Sequence, residues 1–386
     1  MDYRAVASRE LEAMAVFRSP WLRAAFDAVD RESFAPPRFW ALQPDEQGLL
    51  PVVDRSLDID SWQRAVWDTH RSLITQIDDG RTPQEGPARG DYTSSISALD
   101  IVFEKLNHLS LEPHHRVLEL GTGSGYHTAL LCERVGADRV TTVEIDQALA
   151  AWGARNLKQA GYEPYVITGD GLAGCAQNAR YDRIINTVSL RTIPAAWREQ
   201  TADDGIILTP FNTLYADGGL LKLHVQSGVA SGRFVGSASY MWARSQRPAL
   251  STAHADTYTM QASPIDPDQV LDRTWAQDFC IGLYVPHLTV DIRNDADGSR
   301  QAQIRDDTSE SVTIVRFADW WDQDAVTIWG QRNLWNDIVA AYTTWRTAGQ
   351  PHPTRYGLTF DHDGQHLWLD EPDGAACQAD ASGRLM

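Results

Sequence analysis

Cysteine is scarce in this 386-residue sequence: Cys132, Cys175, Cys280 and Cys377 stand far apart, and none belongs to a Cys-x-x-Cys pair. That spacing speaks against a structural zinc site and against a thioredoxin-like redox motif, and it leaves reduced, mostly structural thiols of a cytoplasmic protein as the reading. Long apolar runs are missing as well. No uncharged stretch approaches the roughly 20 residues that a membrane-crossing helix needs, and the charged opening from Met1 to Glu12 lacks a signal-peptide core. Positive charge is in deficit, with 34 Lys and Arg against 52 Asp and Glu, a formal net charge of -18. Such a surface repels phosphates, which argues against nonspecific nucleic-acid binding. It serves solubility first and suits a neutral or basic peptide partner second. Internal repeats and low-complexity tracts are absent too. What remains, 43% hydrophobic and 22% charged residues, is enough to bury a real core in two or three domains.

Three regions differ in character. Residues 1–90 predict a largely helical lead-in: Trp21, Leu22, Ala25, Phe26 and Val29 recur at helical spacing before Pro36 and Pro37, and Asp78 to Arg89, broken by Gly80, Pro83, Gly86 and Pro87, reads as a loop. Residues 91–245 alternate short apolar strands with amphipathic helices. Strands are expected at 116–120, 140–145, 165–167, 183–186 and 205–208, with helices at 124–135 and 146–160. Strand centres separated by a helix length predict a mostly parallel sheet covered on both faces, a Rossmann-like α/β domain. Gly219 to Val225 and Phe234 to Met241 read as an antiparallel hairpin at the edge of that sheet. Residues 246–386 predict a separate α+β domain. It holds seven of the 14 tryptophans, strands at 288–292 and 365–369, and a helix with Leu334, Trp335, Ile338, Val339, Tyr342 and Trp345 on one face. Its tryptophans are core residues first and candidates for a peptide groove second.

The sharpest local signal is Leu118-Glu119-Leu120-Gly121-Thr122-Gly123-Ser124-Gly125-Tyr126, which closes an expected strand and opens an expected helix. Glycines there allow a tight turn and the approach of a ligand to the main chain. A dinucleotide fold places its glycines as G-x-G-x-x-G and seats a pyrophosphate on the helix N-terminus. Here the spacing is G-x-G-x-G, and the Glu119 carboxylate beside the turn would repel a pyrophosphate while favouring a cofactor that carries sulfonium and ammonium groups. That points to S-adenosylmethionine. Glu144, with Ile145, ends the second strand, where a carboxylate can accept hydrogen bonds from both ribose hydroxyls. Asp170 and Gly171 follow the third strand, near where adenine would lie, although an Asp there equally suits a helix cap. Carboxyl ends of parallel strands are where open α/β sheets bind ligands.

With these residues in view, positions 20 to 245 resemble the protein-L-isoaspartate O-methyltransferase family. Arg31-Glu32-Ser33-Phe34-Ala35-Pro36 is similar to its lead-in, Ser95-Ile96-Ser97-Ala98 to its acceptor motif, Glu119 to Tyr126 to its cofactor loop, and Gly169-Asp170-Gly171 and Asp182 to Thr187 to its later strands. The resemblance implies an S-adenosylmethionine-dependent carboxyl O-methyltransferase with a peptide substrate and no metal. Ala98, Leu99 and Asp100 stand where the family usually has a proline, an insertion runs from about Thr82 to Tyr92, and nothing after residue 245 resembles the housekeeping repair enzymes. The long form, with Arg355-Tyr356-Gly357-Leu358-Thr359 in its tail, resembles a subgroup associated with ribosomally made, cyclised peptides (lanthipeptides, lasso peptides or graspetides), in which an ordinary aspartate is methylated and closes to an aspartimide. That substrate is the leading expectation, and repair of isoaspartate is the alternative. A third reading keeps the fold as an inactive peptide-binding protein.

Within this resemblance Ser95 and Ser97 are the catalytic candidates, as donors to an acceptor carboxylate that is already ionised at neutral pH. Helix N-capping is the competing role for both. Ser94, Asp100 and Thr187 are candidate substrate contacts; Asp100 equally suits the first turn of a helix. His127, just after the loop, is expected to be structural or exposed and not a catalytic base.

Overall fold

The computed structural model describes residues 1–248, 257–271, 274–294 and 298–372, so Cys377 lies outside the described residues. The chain forms two compact units. One comprises Met1–Val188, Pro194–Thr209 and Lys222–Gly228, and the other Ser189–Ile193, Pro210–Leu221 and the chain from Val229 onward. Among the described residues no helix is long and apolar enough to cross a membrane. Cys132, Cys175 and Cys280 are unpaired and buried.

The first unit opens with helices α1 (Tyr3–Ala13) and α2 (Pro20–Ala28) and a 3-10 turn, Arg31–Phe34. Pro20 stands at the start of α2, where a missing N–H costs nothing. The lead-in is not wholly helical. Strands β1 (Arg38–Ala41), β2 (Val52–Asp54), β3 (Leu73–Ile77) and β4 (Tyr92–Ile96) form an antiparallel sheet in the order β2-β1-β3-β4, with α3 (Ile59–Val66) between β2 and β3. Trp40, Leu50, Ile74 and Ile77 pack as its core. The polar stretch from Asp78 is the connection between β3 and β4. Strand β4 runs through Ser97 and Ala98 directly into α4 (Leu99–Leu109), so the serine motif lies on a strand end, two residues from a helix.

Beyond α4 the expected alternation appears: β5 (Val117–Leu120), α5 (Tyr126–Val135), β6 (Val140–Glu144), α6 (Gln147–Gln159), β7 (Tyr165–Thr168), β8 (Tyr181–Asn186), α7 (Ala195–Gln200) and β9 (Thr201–Phe211). These strands are parallel and ordered β7-β6-β5-β8-β9. Every residue of β5 and β6 is buried, as strands covered on both faces must be. Successive strands add outward from β5 to β7, and β8 then returns to the other side of β5. The order therefore reverses at β5, and a crevice opens above the carboxyl ends of β5 and β8. This is a Rossmann-like α/β fold.

Strand β10 (Gly219–Gln226) turns into β11 (Val229–Ser237) through Ser227 and Gly228, both at positive φ (51° and 78°), the backbone of a type I′ hairpin. The hairpin does not end its sheet. In the second unit β17 (Tyr356–Phe360) pairs with β11, Ala230 opposite Phe360, and β18 (Gln365–Leu369) pairs with β17. The sequence places the partner of β11 more than a hundred residues away, beyond any local pattern. The same unit holds β12 (Tyr258–Gln261), α8 (Pro267–Val270), α9 (Trp275–Tyr284), β13 (Leu288–Asn294), β14 (Arg300–Asp306), β15 (Val312–Arg316), β16 (Val326–Trp329) and α10 (Leu334–Thr347). Five of its strands form a second antiparallel sheet, β12-β16-β15-β14-β13. Trp335, Trp345 and Trp368 are buried and donate their indole N–H to Ser263 Oγ, Pro351 O and Thr359 Oγ1. Core is thus the role of these three, whereas Trp321 is 60% exposed.

Candidate functional site

The glycine turn sits at the reversal point of the parallel sheet. Gly121, Gly123 and Gly125 have φ of 94°, 52° and 87°, a backbone that L side chains rarely adopt. A Cβ on Gly121 would lie 2.2 Å from Thr187 Oγ1, and one on Gly125 2.8 Å from Leu157 Cγ. The intervening side chains point inward: Thr122 Oγ1 bonds Thr142 Oγ1 at 2.7 Å, and Ser124 Oγ accepts only the Tyr126 N–H, at 3.3 Å. What the turn offers outward is main chain. Helix α5 starts straight from Gly125 with no side-chain cap, leaving first-turn N–H groups at the turn.

Two acids flank the turn in different ways. Glu144, the last residue of β6, accepts the Gly123 N–H at Oε2 (2.9 Å) and the Asp146 N–H at Oε1 (3.1 Å). Glu119 is wholly buried and turned away from the turn. It accepts from Thr142 Oγ1 at 2.7 Å and from Thr128 Oγ1, and meets His127 Nδ1 at 2.6 Å. The expectation that Glu119 faces a ligand therefore needs correction: it anchors the base of α5 to β6. His127 is held by Glu119 through Nδ1, and its Nε2 is buried with no hydrogen-bond partner among the described residues. Beneath them Lys105 of α4, fully buried, donates to Asn186 O at 2.7 Å, and burial lowers its pKa to about 7 against the opposing pull of Glu119.

The serine motif comes close to the turn: a Cβ on Gly123 would lie 3.9 Å from Ser95 O. Ser94 is buried and accepts from Thr75 Oγ1 at 2.8 Å, which ties its hydroxyl into the antiparallel sheet instead of a ligand site. Ser95 and Ser97 are half-buried, and neither hydroxyl has a hydrogen-bond partner among the described residues. The helix cap position falls on Ala98, so Ser97 does not cap α4. Asp100 lies in the first turn of α4, its Oδ2 held 2.8 Å from His70 Nδ1. Thr187 is not turned to a substrate. Its hydroxyl lies 2.9 Å from both Leu120 O and Gly121 O, donating to the start of the turn and locking it. Tyr126 is also corrected: its ring is buried beneath Arg31 and Phe34, and only its backbone borders the turn. Ile145, 39% exposed, stands at the rim beside Glu144. Asp170 caps a short 3-10 turn through Leu172 N (2.9 Å), and Gly171 packs on Leu120, where a Cβ would come within 3.3 Å.

Gly153 joins the site without a local signal in the sequence, and Arg31, noted in the sequence only as part of the lead-in, joins it through a contact no local pattern shows. Gly153 of α6 lets that helix rest on the turn; a Cβ there would lie 2.7 Å from Gly123 O. Arg31 donates to Ser97 O at 2.9 Å across 66 residues of chain.

Residues 71–235 match the family described as "Protein-L-isoaspartate(D-aspartate) O-methyltransferase (PCMT)". This stretch resembles protein-L-isoaspartate O-methyltransferases. The protein of that name from Methanococcus vannielii is 39% identical over 132 residues, covering 34% of this chain and 63% of its own length. The one from Methanococcus maripaludis is 44% identical over 118 residues, covering 30% and 56%. The chain thus spans about three-fifths of the length of these curated relatives. A solved structure titled protein-L-isoaspartate O-methyltransferase superposes with a TM-score of 0.53 at 17% identity, over 95% of this chain and 100% of its own. That likeness in fold runs well past residue 245. It is a likeness of fold alone.

Proposed function

We propose that this protein is an S-adenosylmethionine-dependent carboxyl O-methyltransferase acting on an isoaspartyl residue of a peptide or protein. The observation that carries this reading is the Gly123 N–H held by the Glu144 carboxylate. A pyrophosphate would need such N–H donors, and here the Gly123 N–H is already taken by the Glu144 carboxylate, so a dinucleotide fits poorly. An adenosyl group with a cationic centre fits: the positive-φ glycines leave main chain exposed, Glu144 ends its strand at the crevice as an acceptor suited to ribose hydroxyls, and Ile145 offers an apolar edge. S-adenosylmethionine would be held by the 121–125 turn, Glu144 and Ile145, with Asp170 and Gly171 beside the adenine, and when bound it supplies an electrophilic methyl group.

The rest falls to the chain's own residues. An aspartyl-type carboxylate, with a reference pKa of about 3.9, is ionised at neutral pH, so no general base is needed. The task is positioning. The unspent Ser95 and Ser97 hydroxyls donate to the acceptor carboxylate or to its neighbouring peptide group, while Thr187 and Gly153 keep the turn in place. The ester formed is a far better acyl donor than the carboxylate. Attack by the following backbone nitrogen expels methanol and closes a succinimide ring.

The sequence matches favour isoaspartate as acceptor. The second reading, an ordinary aspartate in a ribosomally made, cyclised peptide, draws its support from residues 236–386, which lie outside the family match. Twin peptides carrying aspartate or isoaspartate at one position, assayed for methyl transfer, separate the two. Preference for the isoaspartyl twin is expected, and preference for the aspartyl twin would move the assignment to the second reading. A folded protein that binds neither S-adenosylmethionine nor S-adenosylhomocysteine would overturn both.

A further inference from the structure

Arg31 is completely buried, and burying a guanidinium is costly unless its donors are satisfied. Among the described residues it has no carboxylate hydrogen-bond partner. Two of its nitrogens donate to main-chain carbonyls far apart in sequence, Nε to Val66 O at 2.8 Å, at the end of α3, and Nη2 to Ser97 O at 2.9 Å, while Nη1 is buried with no hydrogen-bond partner among the described residues. The guanidinium also lies over the Tyr126 ring, 4.9 Å from its centroid, and Tyr126 is the first residue of α5 after the glycine turn. Phe34, from the same 3-10 turn as Arg31, meets that ring edge-on at 5.9 Å. One short turn of chain therefore touches both the serine segment and the helix that springs from the glycine turn. Among the described residues the Ser95 and Ser97 hydroxyls have no hydrogen-bond partner, so where they point depends on the backbone that carries them, and Arg31 grips that backbone at Ser97.

We propose that Arg31 is a positioning residue, a brace that holds the serine segment in register with the glycine turn through Ser97 O and the Tyr126 ring. The register of these two segments governs how well an acceptor carboxylate lines up with the methyl donor, and misplacement of about 1 Å is enough to cost a hundredfold in rate. The inference rests on the methyl-transfer reading above for its kinetic consequence, though not for its structural one. A lysine in this place keeps the charge but cannot fork to two carbonyls while lying flat on a ring.

The test compares wild type with Arg31→Lys and Arg31→Met by thermal melting, calorimetric binding of S-adenosylhomocysteine, kcat and KM for an isoaspartyl peptide, and hydrogen exchange of the unliganded protein. For Arg31→Lys we expect a folded protein whose S-adenosylhomocysteine Kd stays within about threefold of wild type and whose kcat falls about tenfold or more, because ligand contacts survive while alignment does not. Exchange should quicken over both 94–98 and 123–128. A folded Arg31→Lys with kcat within about twofold of wild type, or with faster exchange confined to the neighbourhood of Val66, would overturn the proposal and leave Arg31 as a packing residue. Should Arg31→Met not fold, Arg31→Lys decides alone. Should the wild type neither bind S-adenosylhomocysteine nor methylate any peptide, the methyltransferase reading fails. Exchange then decides the brace: quickening in both segments sustains it, and its absence removes it.

Discussion

Glu119 and Glu144 are the same residue type near the carboxyl ends of adjacent parallel strands, yet the structure gives them different work. Glu119 is the third residue of the four in β5 and disappears beneath α5, its oxygens shared among His127, Thr128 and Thr142. Glu144 ends β6 and stays at the crevice with two backbone N–H groups on it. A one-residue difference in distance from the strand end separates the acid buried beneath α5 from the acid left at the crevice. Replacement of Glu144 by Ala should therefore weaken S-adenosylhomocysteine binding by about tenfold or more, the worth of one or two charged hydrogen bonds, while leaving a cooperative thermal melt. Calorimetry reads the first and scanning calorimetry the second, and unchanged affinity would remove Glu144 from the site. The places of the glycine turn at the end of β5 and of Glu144 at the end of β6 were legible in the sequence, because strand ends and glycine turns are local features. The inward turn of Tyr126 and the locking role of Thr187 were not, because each depends on a partner more than 60 residues away.

At the scale of elements, the parallel half of the fold was readable because buried parallel strands are continuous apolar runs separated by helix-length intervals. The β1–β4 sheet escaped notice for the converse reason: its strands have three to five residues, too few to establish alternation. Helix α6 hides another dependence. Gly153 reads as an ordinary helical glycine, where Ala would normally add about 0.5–1 kcal/mol of stability. Here a Cβ would press on Gly123 O at 2.7 Å and on Thr122 Cγ2 at 2.9 Å. Gly153→Ala should instead destabilise by about 1–3 kcal/mol, measured by urea melts, and should weaken S-adenosylhomocysteine binding as the turn is displaced. A stabilised variant with unchanged affinity would show that α6 does not set the turn. Helix α4 carries a pH dependence. Lys105 has a pKa of about 7 when folded because of burial, against about 10.4 for an unfolded lysine. Between these values the unfolded chain holds a proton that the folded one lacks, so the lysine's contribution to stability rises with pH through this window; below about pH 7 it is at its least favourable and flat. Relative to Lys105→Met, the wild type should gain stability from pH 7 to 10. A constant difference across denaturant melts over that range would refute the buried, depressed lysine.

For the molecule as a whole, composition changes near residue 246, but the chain passes between its two compact units well before that, at 188/189, 193/194, 209/210, 221/222 and 228/229. Short pieces of early sequence belong to the second unit and depend on late sequence for their bonds. Ile193 N donates to Gln365 Oε1 at 3.0 Å, and Gln365 Nε2 returns a bond to Ile193 O at 2.9 Å. Leu214 N donates to Pro286 O at 3.0 Å, and Phe234 meets Phe279 edge-on at 4.9 Å. Strand β11 pairs along its length with β17. A chain shortened to residues 1–245 would keep the glycine turn, Glu144 and the serine motif, yet it would bare these donors, the Phe234 face and one edge of β11. Each unsatisfied buried group costs about 1–3 kcal/mol, and an exposed apolar edge strand recruits other chains. We expect that shortened chain to elute as aggregate in size-exclusion chromatography and to melt without a cooperative transition. A monomeric, cooperatively melting chain of residues 1–245 that still binds S-adenosylhomocysteine would show that the methyltransferase-like unit is stable without the sequence after residue 245, and the interleaving of the chain would then be a matter of path and not of stability.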